Sequence, residues 1–197
     1  MAVAAAVLAA GRGVRFGAGT PKPLAPFGGR PLLAWALEAA TAAGLAPVVC
    51  VVSDDAVAAA VPAPVTVLRN PAPDRGISSS LRIALEHLAE VAGVEAVVVG
   101  PADQPLIGSE AWRRVGAARD DLAVATYAGR RANPVRIART LWAEAVGLRG
   151  DEGARVLIRR HGAAGVVCDD AGDPADADTP ADLAALERRW RSQTASG

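Results

Sequence analysis

Short apolar runs alternate with amphipathic segments along most of the chain. Runs rich in Val, Ala and Leu that are bounded by Gly, Pro or Asp predict buried strands. The predicted strands are 3–9, 47–53, 65–68, 94–100, 122–127, 133–137 and 166–168. Apolar residues spaced three or four apart predict helices at 31–43, 54–60, 81–88, 108–118, 155–161 and 180–191. Because strands and helices alternate, we predict an α/β protein built from right-handed βαβ units around a mostly parallel sheet.

The first apolar run, 3–9, ends in a loop that is rich in glycine and cationic residues. Three cations, Arg12, Arg15 and Lys22, stand among four glycines. Glycines let the backbone approach a ligand closely, and free N–H groups with fixed cations can cradle phosphate. The pattern therefore predicts a triphosphate-binding loop after the first strand, with a plain surface loop as the alternative.

This loop matches neither of the two common phosphate motifs. The dinucleotide motif G-x-G-x-x-G would begin at Gly11, but Phe16 stands where its third glycine should be. The Walker A motif needs Ser or Thr directly after its lysine, whereas Lys22 is flanked by prolines.

The loop and the residues after it contain four short motifs: Leu8-Ala9-Ala10-Gly11, Arg15-Phe16-Gly17, Pro21-Lys22 and Gly28-Gly29-Arg30-Pro31-Leu32-Leu33. Together they resemble the signature of the nucleotidyltransferases that activate molybdenum cofactor, and most closely that of the molybdenum cofactor cytidylyltransferases. The resemblance implies that Arg15 and Lys22 are catalytic and bind the β- and γ-phosphates of a nucleoside triphosphate. It implies that the substrate is also bound by Leu8, Ala9, Ala10, Gly11, Arg12 and Gly13.

The segment 70–81 (NPAPDRGISSSL) resembles a second motif of the same family. Its serines stand where a helix should begin, so their hydroxyl and N–H groups could contact a nucleotide. On this resemblance we expect substrate binding by Asn70, Gly76, Ser79 and Ser80. Taken alone, the segment favours an ordinary loop and helix cap.

Two aspartates are candidate metal ligands. Asp103 follows the strand 94–100, and ligands of open α/β sheets bind beyond the carboxyl ends of the strands. Asp103-Gln104-Pro105 resembles the family's Gly-Asp-Gln-Pro motif, although Pro101-Ala102 precedes the aspartate here. The resemblance implies that Asp103, which is also a catalytic candidate, and Asp178 hold Mg²⁺, a cation that prefers oxygen ligands. For Asp103 alone, a turn residue is the alternative.

Two further residues are candidates for binding an acceptor. Asn133-Pro134 follows a predicted tight turn and stands where the family usually has Gly-His-Pro, so an amide replaces an imidazole. Arg155 belongs to a stretch that resembles the family's Gly-Asp-Lys-Gly-Ala-Arg, with Glu152 in place of lysine. Guanidinium matches phosphate geometry, so we expect Arg155 to bind an anionic acceptor.

The motifs together imply a single domain at 1–191, a frayed tail at 192–197, and a Rossmann-like, three-layer α/β/α nucleotidyltransferase fold. They imply transfer of a nucleoside monophosphate, from CTP by preference, to a phosphate-bearing acceptor such as molybdopterin, with a molybdoenzyme as a partner. Three alternatives stay open: a guanylyltransferase of the same fold, a protein that binds or delivers a nucleotide or cofactor, and an NAD(P)H-dependent oxidoreductase.

Composition narrows the possible partners and the expected location of the protein. The 197 residues include 21 Lys and Arg against 21 Asp and Glu, which argues against nucleic acid or an anionic membrane as a partner. The apolar N-terminus lacks a basic region and leads directly into the glycine-rich loop, so we do not expect a signal peptide. We expect a soluble cytoplasmic protein in which Cys50 and Cys168 are buried strand residues.

Overall fold

A computed structural model of the chain describes residues 2–11, 16 and 19–194. The strands are β1 (Ala2–Ala9), β2 (Pro26–Phe27), β3 (Arg30–Pro31), β4 (Val48–Val52), β5 (Thr66–Arg69), β6 (Val94–Pro101), β7 (Leu122–Tyr127), β8 (Arg130–Ala138) and β9 (Ala164–Val167). Seven of them form one sheet in the order β5-β4-β1-β6-β8-β7-β9, and β2 pairs with β3 in a small hairpin. Within the large sheet only β8 is antiparallel to its neighbours, so the predicted mostly parallel sheet is confirmed.

Helices cover both faces of this sheet. They are α1 (Leu32–Ala42), α2 (Asp55–Ala59), α3 (Ile77–Ala89), α4 (Ser109–Ala117), α5 (Trp142–Val146), α6 (Ala154–His161) and α7 (Pro180–Thr194). Leu37 of α1 and Trp112 of α4 belong to the core on one face. Leu85 of α3 and Leu157 of α6 belong to the core on the other face. The result is the predicted three-layer α/β/α architecture.

A third, smaller apolar cluster attaches α7 to the rest of the molecule. Leu186 of α7 is 1% exposed and packs with Phe27 of the β2–β3 hairpin and Leu32 of α1. Trp35 and Trp190 extend the cluster, with each ring centroid 5.6 Å from that of Phe27. This packing places the residues that precede α7 against the sheet.

The structure differs from the predicted elements in several places. The β2–β3 hairpin and the short helix α5 were not predicted, because each is too short to show a period. The last strand is Ala164–Val167, so Cys168 lies just beyond it, although it is fully buried as predicted. Helix α7 continues to Thr194, three residues beyond the end predicted for the last helix. An ion pair between Glu187 and Arg191 supports its last turns.

No helix in the described part of the chain is long and apolar enough to cross a membrane.

Candidate active site

Four neighbouring parallel strands, β5, β4, β1 and β6, have their carboxyl ends at one edge of the sheet. Asn70 follows β5, and Asp103 follows β6 after one intervening residue. The N–H of Ala102 donates to the carbonyl of Leu8 at 3.1 Å, which joins the end of β6 to that of β1. Since ligands of open α/β sheets bind at such an edge, the candidate site lies here.

The predicted nucleotide-binding motif at the end of β1 occupies this edge. Ala9 and Ala10 are buried, and the carbonyl of Ala10 accepts a hydrogen bond from the Ser53 hydroxyl at 3.1 Å. Gly11 is exposed, and no described atom lies within 4 Å of the position that a Cβ would occupy. Among the described residues, none therefore covers the Gly11 backbone at the point where the glycine-rich loop begins.

Lys22 connects the two aspartates that were predicted as metal ligands. Its ammonium Nζ donates to Asp103 Oδ2 at 2.6 Å and to Asp178 Oδ1 at 2.8 Å. The lysine side chain is 11% exposed, and those of Asp103 and Asp178 are 26% and 44% exposed. Three residues that are far apart in sequence thus meet at one point.

Prolines fix the backbone that presents Lys22. The residue begins a short 3-10 turn, Lys22–Leu24, between Pro21 and the buried Pro23. The N–H of Ala25 closes the turn by donating to the Lys22 carbonyl at 3.0 Å. Because proline fixes φ and restricts the residue before it, this segment has few alternative conformations.

Asp178 is positioned by the start of α7. The N–H of Ala177 donates to the Asp103 carbonyl at 2.9 Å, which ties the two aspartate segments together. On the other side, the N–H of Thr179 donates to Asp182 Oδ2 at 2.9 Å, and the N–H of Asp182 donates to Thr179 Oγ1 at 3.1 Å. This reciprocal pair is a capping box at the start of α7.

The electrostatics of Lys22 follow from its surroundings. Burial of the ammonium lowers its pKa, but the negative charge of Asp103 and the hydrogen bonds to both carboxylates outweigh this effect. The pKa of Lys22 is therefore raised above its ordinary value. Lys22 is a permanent cation at neutral pH.

The donor set at this point fits a divalent cation. Asp103 Oδ2 and Asp178 Oδ1 already converge on one cation, the Lys22 ammonium. Asp103 Oδ1 is buried and accepts no hydrogen bond within the described residues. Carboxylate oxygens are the ligands that Mg²⁺ prefers, and Mg²⁺ commonly takes its remaining ligands from substrate phosphates and water. Among the described residues no cluster of three or more His, Cys, Asp or Glu suited to a metal occurs, and the candidate site holds the two aspartates named above.

Asn133 reaches the site through Gln104, a residue to which the sequence analysis assigned no role. Asn133 Nδ2 donates to Gln104 Oε1 at 2.9 Å, and Gln104 Nε2 donates to Asp176 Oδ1 at 2.8 Å. Desolvation and the nearby charge of Asp103 raise the pKa of Asp176 above its ordinary range. The Asp103-Gln104-Pro105 motif contained Gln104, but only the folded chain shows its contacts.

The side chains of Asn70, Ser79 and Ser80 bind one another. Asn70 Nδ2 donates to Ser79 Oγ at 2.8 Å and to Ser80 Oγ at 2.9 Å. Asn70 is 3% exposed, Ser79 is 4% exposed and Ser80 is 6% exposed. These contacts tie the end of β5 to the start of α3, so in this structure the three side chains position the edge of the site.

Gly76 and Arg155 lie beside the start of α3. Gly76 has φ +81°, and a Cβ there would stand 2.3 Å from the Gly150 carbonyl, so the residue allows the 148–153 loop to pack closely. Arg155 is exposed in the first turn of α6. Helix α6 leads into β9, which is parallel to β7, so its first turn lies toward the same edge of the sheet. No contact in the described structure joins Arg155 to Lys22.

The remaining predicted site residues, Arg12, Gly13 and Arg15, lie outside the described residues.

The sheet has the α/β nucleotidyltransferase fold, and two carboxylates and a lysine gather beyond its carboxyl edge. Residues 5–165 match the family described as "MobA-like NTP transferase domain", and the chain belongs to this family.

Solved structures agree with this assignment. Rv0371c from Mycobacterium tuberculosis H37Rv is 29% identical with a TM-score of 0.80, and the match covers 95% of this chain and 98% of that one. A structure of Rv0371c in complex with manganese aligns with a TM-score of 0.77. A nucleotidyl transferase from Methanothermobacter, Mth528, is 19% identical with a TM-score of 0.81, covers 98% of this chain and 99% of that one, and so shares the fold.

Curated relatives match over shorter segments. The 2-C-methyl-D-erythritol 4-phosphate cytidylyltransferase of Cereibacter sphaeroides is 39% identical over 122 residues, which is 60% of this chain and 54% of that protein. A bifunctional GlmU protein of Pelobacter propionicus is 56% identical over 54 residues, or 27% of this chain and 12% of that protein. The chain thus spans about half the length of the first of these relatives and far less of the second.

Proposed function

We propose that the chain transfers a nucleoside monophosphate from a nucleoside triphosphate to a phosphate-bearing acceptor and releases pyrophosphate. The observation that carries this proposal is the Lys22 ammonium between Asp103 and Asp178 at the ligand-binding edge of the sheet. Family membership supports the same reaction class.

In the proposed reaction a phosphate oxygen of the acceptor attacks the α-phosphorus of the nucleotide. The bond between the α-phosphorus and the bridging oxygen to the β-phosphate breaks, and that oxygen leaves with pyrophosphate. Such transfer depends on positioning and on neutralisation of charge more than on a strong base. The chain must therefore supply cations and N–H donors around the triphosphate.

We assign these tasks to residues at the β1 and β6 ends. Lys22 and Arg15 bind the β- and γ-phosphates, and the backbone from Leu8 to Gly13 surrounds the nucleotide. Asp103 and Asp178 would hold Mg²⁺, which would polarise the α-phosphate when bound. The manganese complex of Rv0371c supports a divalent cation in a related protein.

For the remaining substrate-binding candidates we propose two tasks. Asn70, Ser79 and Ser80 shape the nucleotide side of the site, since their side chains tie β5 to α3. Gly76 contributes by allowing the Gly150 carbonyl to pack against the start of α3. Arg155 and Asn133 belong to the acceptor side, Arg155 as an exposed cation that an anion can reach.

We propose CTP as the nucleotide and molybdopterin as the acceptor, with a molybdoenzyme as the partner that receives the product. The motifs Leu8-Ala9-Ala10-Gly11 and Asp103-Gln104-Pro105 support this choice. The Cereibacter relative is named as a cytidylyltransferase, which supports the cytosine nucleotide, and its named acceptor, 2-C-methyl-D-erythritol 4-phosphate, is the rival to test.

The experiment is release of pyrophosphate by the purified chain with Mg²⁺ and each of CTP, GTP, ATP and UTP. Each nucleotide is tested alone, with molybdopterin-bound molybdenum, and with 2-C-methyl-D-erythritol 4-phosphate. Asp103→Asn serves as the inactive variant, with an expected loss of about 100-fold or more. Glu95→Gln, which changes an exposed carboxylate on β6, the strand that precedes Asp103, serves as its matched control.

Release with CTP that depends on the molybdenum cofactor supports the proposed reaction, nucleotide and acceptor. Release with GTP instead supports the guanylyltransferase alternative. If the chain binds a nucleotide but releases no pyrophosphate from any of the twelve mixtures, the result contradicts the proposed transfer and favours a binding or delivery protein. In a separate assay, oxidation of added NAD(P)H would indicate an oxidoreductase.

A further inference from the structure

Gln104 is a buried amide whose hydrogen bonds all go to distant parts of the chain. The residue is 5% exposed. Its Nε2 donates to the Pro174 carbonyl at 2.7 Å and to Asp176 Oδ1 at 2.8 Å, and its Oε1 accepts from Asn133 Nδ2 at 2.9 Å. Both N–H donors of the amide are therefore used, and its side chain joins three segments.

Two of these segments, that of Gln104 and that of Pro174 and Asp176, lead to the candidate metal ligands. Gln104 is adjacent to Asp103, and the Pro174–Asp176 contacts lie two to four residues before Asp178. The Ala177 N–H adds a bond of 2.9 Å to the Asp103 carbonyl. Gln104 thus holds the segment of one candidate ligand against the segment of the other.

Asn133 is aimed at Gln104 by an irregularity in β8. Ala132 pairs with Ala125 and Val135 pairs with Val124, so Asn133 and Pro134 are two extra residues on the β8 side. A bulge of this kind commonly turns a side chain away from its regular direction. Here the Asn133 amide reaches Gln104, which lies just beyond β6. The family motif has an imidazole at the position of Asn133.

An amide suits this position better than a charged or an apolar side chain. A carboxylate at position 104 would face Asp176 at hydrogen-bond distance, with Asp103 nearby, and like charges at this range repel. An apolar side chain would leave the Pro174 carbonyl and the Asn133 amide without their partner in a buried region. Glutamine provides both donors and the acceptor without adding charge.

We propose that Gln104, oriented by Asn133, is a positioning residue that sets Asp178 opposite Asp103 and thereby determines the affinity of the divalent-cation site. This inference rests on the proposed function for the identity of the site. It assigns Asn133 a role that acts through Gln104, in addition to any contact with an acceptor.

The test measures Mn²⁺ binding to the full-length chain without nucleotide, by the electron paramagnetic resonance signal of free Mn²⁺. The variants are Gln104→Met, which keeps the side-chain size, Asn133→Ala, and the double variant. Trp142→Phe is the matched control, since it removes a buried hydrogen bond of 3.1 Å to the Ile137 carbonyl on the far face of the sheet. Circular dichroism identifies a temperature at which every variant is folded.

We expect Gln104→Met to weaken Mn²⁺ binding at least tenfold, which is the usual effect of removing a group that orients metal ligands. Asn133→Ala should weaken binding to a smaller extent, and the double variant should be no weaker than Gln104→Met. Trp142→Phe should bind Mn²⁺ as the wild type does.

The inference is overturned if Gln104→Met binds Mn²⁺ within twofold of the wild type, if the two single effects add in the double variant, or if the wild type does not bind Mn²⁺. The assay needs no turnover, so it separates the two proposals. Weakened binding in a chain that releases no pyrophosphate supports the positioning role and contradicts the proposed reaction. Unchanged binding in an active chain contradicts the positioning role alone.

Discussion

At the scale of single residues, one ammonium group balances two carboxylates. Lys22 Nζ lies 2.6 Å from Asp103 Oδ2 and 2.8 Å from Asp178 Oδ1. At such distances, and with effective dielectric constants usual for partly buried sites, each attraction is worth several kcal/mol before desolvation is subtracted. The same oxygens are the candidate metal ligands, so a divalent cation and the lysine compete for them.

Replacement of Lys22 by Met is expected to have opposite effects on turnover and on metal binding. Lys22→Met should lower turnover about 100-fold, because it removes a cation from the leaving pyrophosphate. It should tighten Mn²⁺ binding in the absence of nucleotide by about tenfold, because the Lys22 ammonium then no longer competes with the metal for Asp103 Oδ2 and Asp178 Oδ1. Steady-state kinetics and Mn²⁺ titration measure the two effects. If Lys22→Met bound Mn²⁺ more weakly or kept full turnover, the role assigned to Lys22 would be contradicted. The control is Arg119→Gln, which removes an exposed positive charge beyond α4.

At the scale of elements, the start of α3 is held by the loop that follows α5. Gly76 adopts φ +81° and ψ −178°, a backbone region that is almost exclusive to glycine. A Cβ there would come within 2.3 Å of the Gly150 carbonyl and 2.7 Å of Asp151 Oδ1. The N–H of Ser78 also donates to the Gly150 carbonyl at 3.2 Å.

Gly76→Ala should therefore lower the free energy of unfolding by more than about 2 kcal/mol, since strain and a backbone clash combine. Gly93→Ala is the matched control, because Gly93 has φ +79° but no described atom lies within 4 Å of the position of an added Cβ. Its free energy of unfolding is expected to fall by about 1 kcal/mol from strain alone. Urea unfolding measures both values. If both variants lost the same free energy of unfolding, the close approach of Gly76 to the 148–153 loop would contribute nothing to stability.

A second link between elements depends on pH. Arg114 of α4 binds Asp170, which follows β9, at 2.6 Å and also binds Glu110 at 2.6 Å. Hydrogen bonds from Arg113 and then Arg114 lower the pKa of Glu110 from 4.5 to about 2. The hydrogen bond from Arg114 likewise lowers the pKa of Asp170 from 3.8 to about 2.

A carboxylate whose pKa is lowered by folding stabilises the protein fully above its unfolded pKa and loses that contribution as the pH falls toward its folded pKa. Arg114→Gln should therefore lower the urea midpoint at pH 7, and the difference from the wild type should shrink at pH 3. The groups are exposed, so the difference is expected to be small. If the urea midpoints of the wild type and Arg114→Gln differed more at pH 3 than at pH 7, ion pairing of Arg114 with Glu110 and Asp170 would not explain the stability.

At the scale of the whole molecule, local patterns predict much of the fold, because each strand and long helix has its own apolar period. Asp103 and Asp178 are candidate metal ligands because their motifs resemble those of a known family, and local patterns alone do not assign them that role. Local patterns also do not predict that Lys22 lies between these aspartates, since its partners are 81 and 156 residues away. The contacts of Gln104 were missed for the same reason, as they depend on the packing of segments that no local period connects.

The final helix links global stability to the site. Asp178 directly precedes the capping box of α7, and α7 is anchored by Leu186, which is 1% exposed in the cluster with Phe27 and Leu32. If the anchor loosens, the position of Asp178 relative to Asp103 should loosen with it. An equally buried leucine on the opposite face of the sheet, Leu157, lies in a helix that does not carry Asp178.

Leu186→Ala and Leu157→Ala should each lower the free energy of unfolding by about 2–5 kcal/mol, the usual range for a leucine removed from a core. Leu157 is 0% exposed and lies in α6, within the other core. At a temperature where both variants are folded, Leu186→Ala should weaken Mn²⁺ binding several-fold, whereas Leu157→Ala should leave it unchanged. Urea unfolding and Mn²⁺ titration give the two quantities for each variant. Equal Mn²⁺ affinities at equal losses of stability would mean that α7 adds to the stability of the molecule without positioning Asp178.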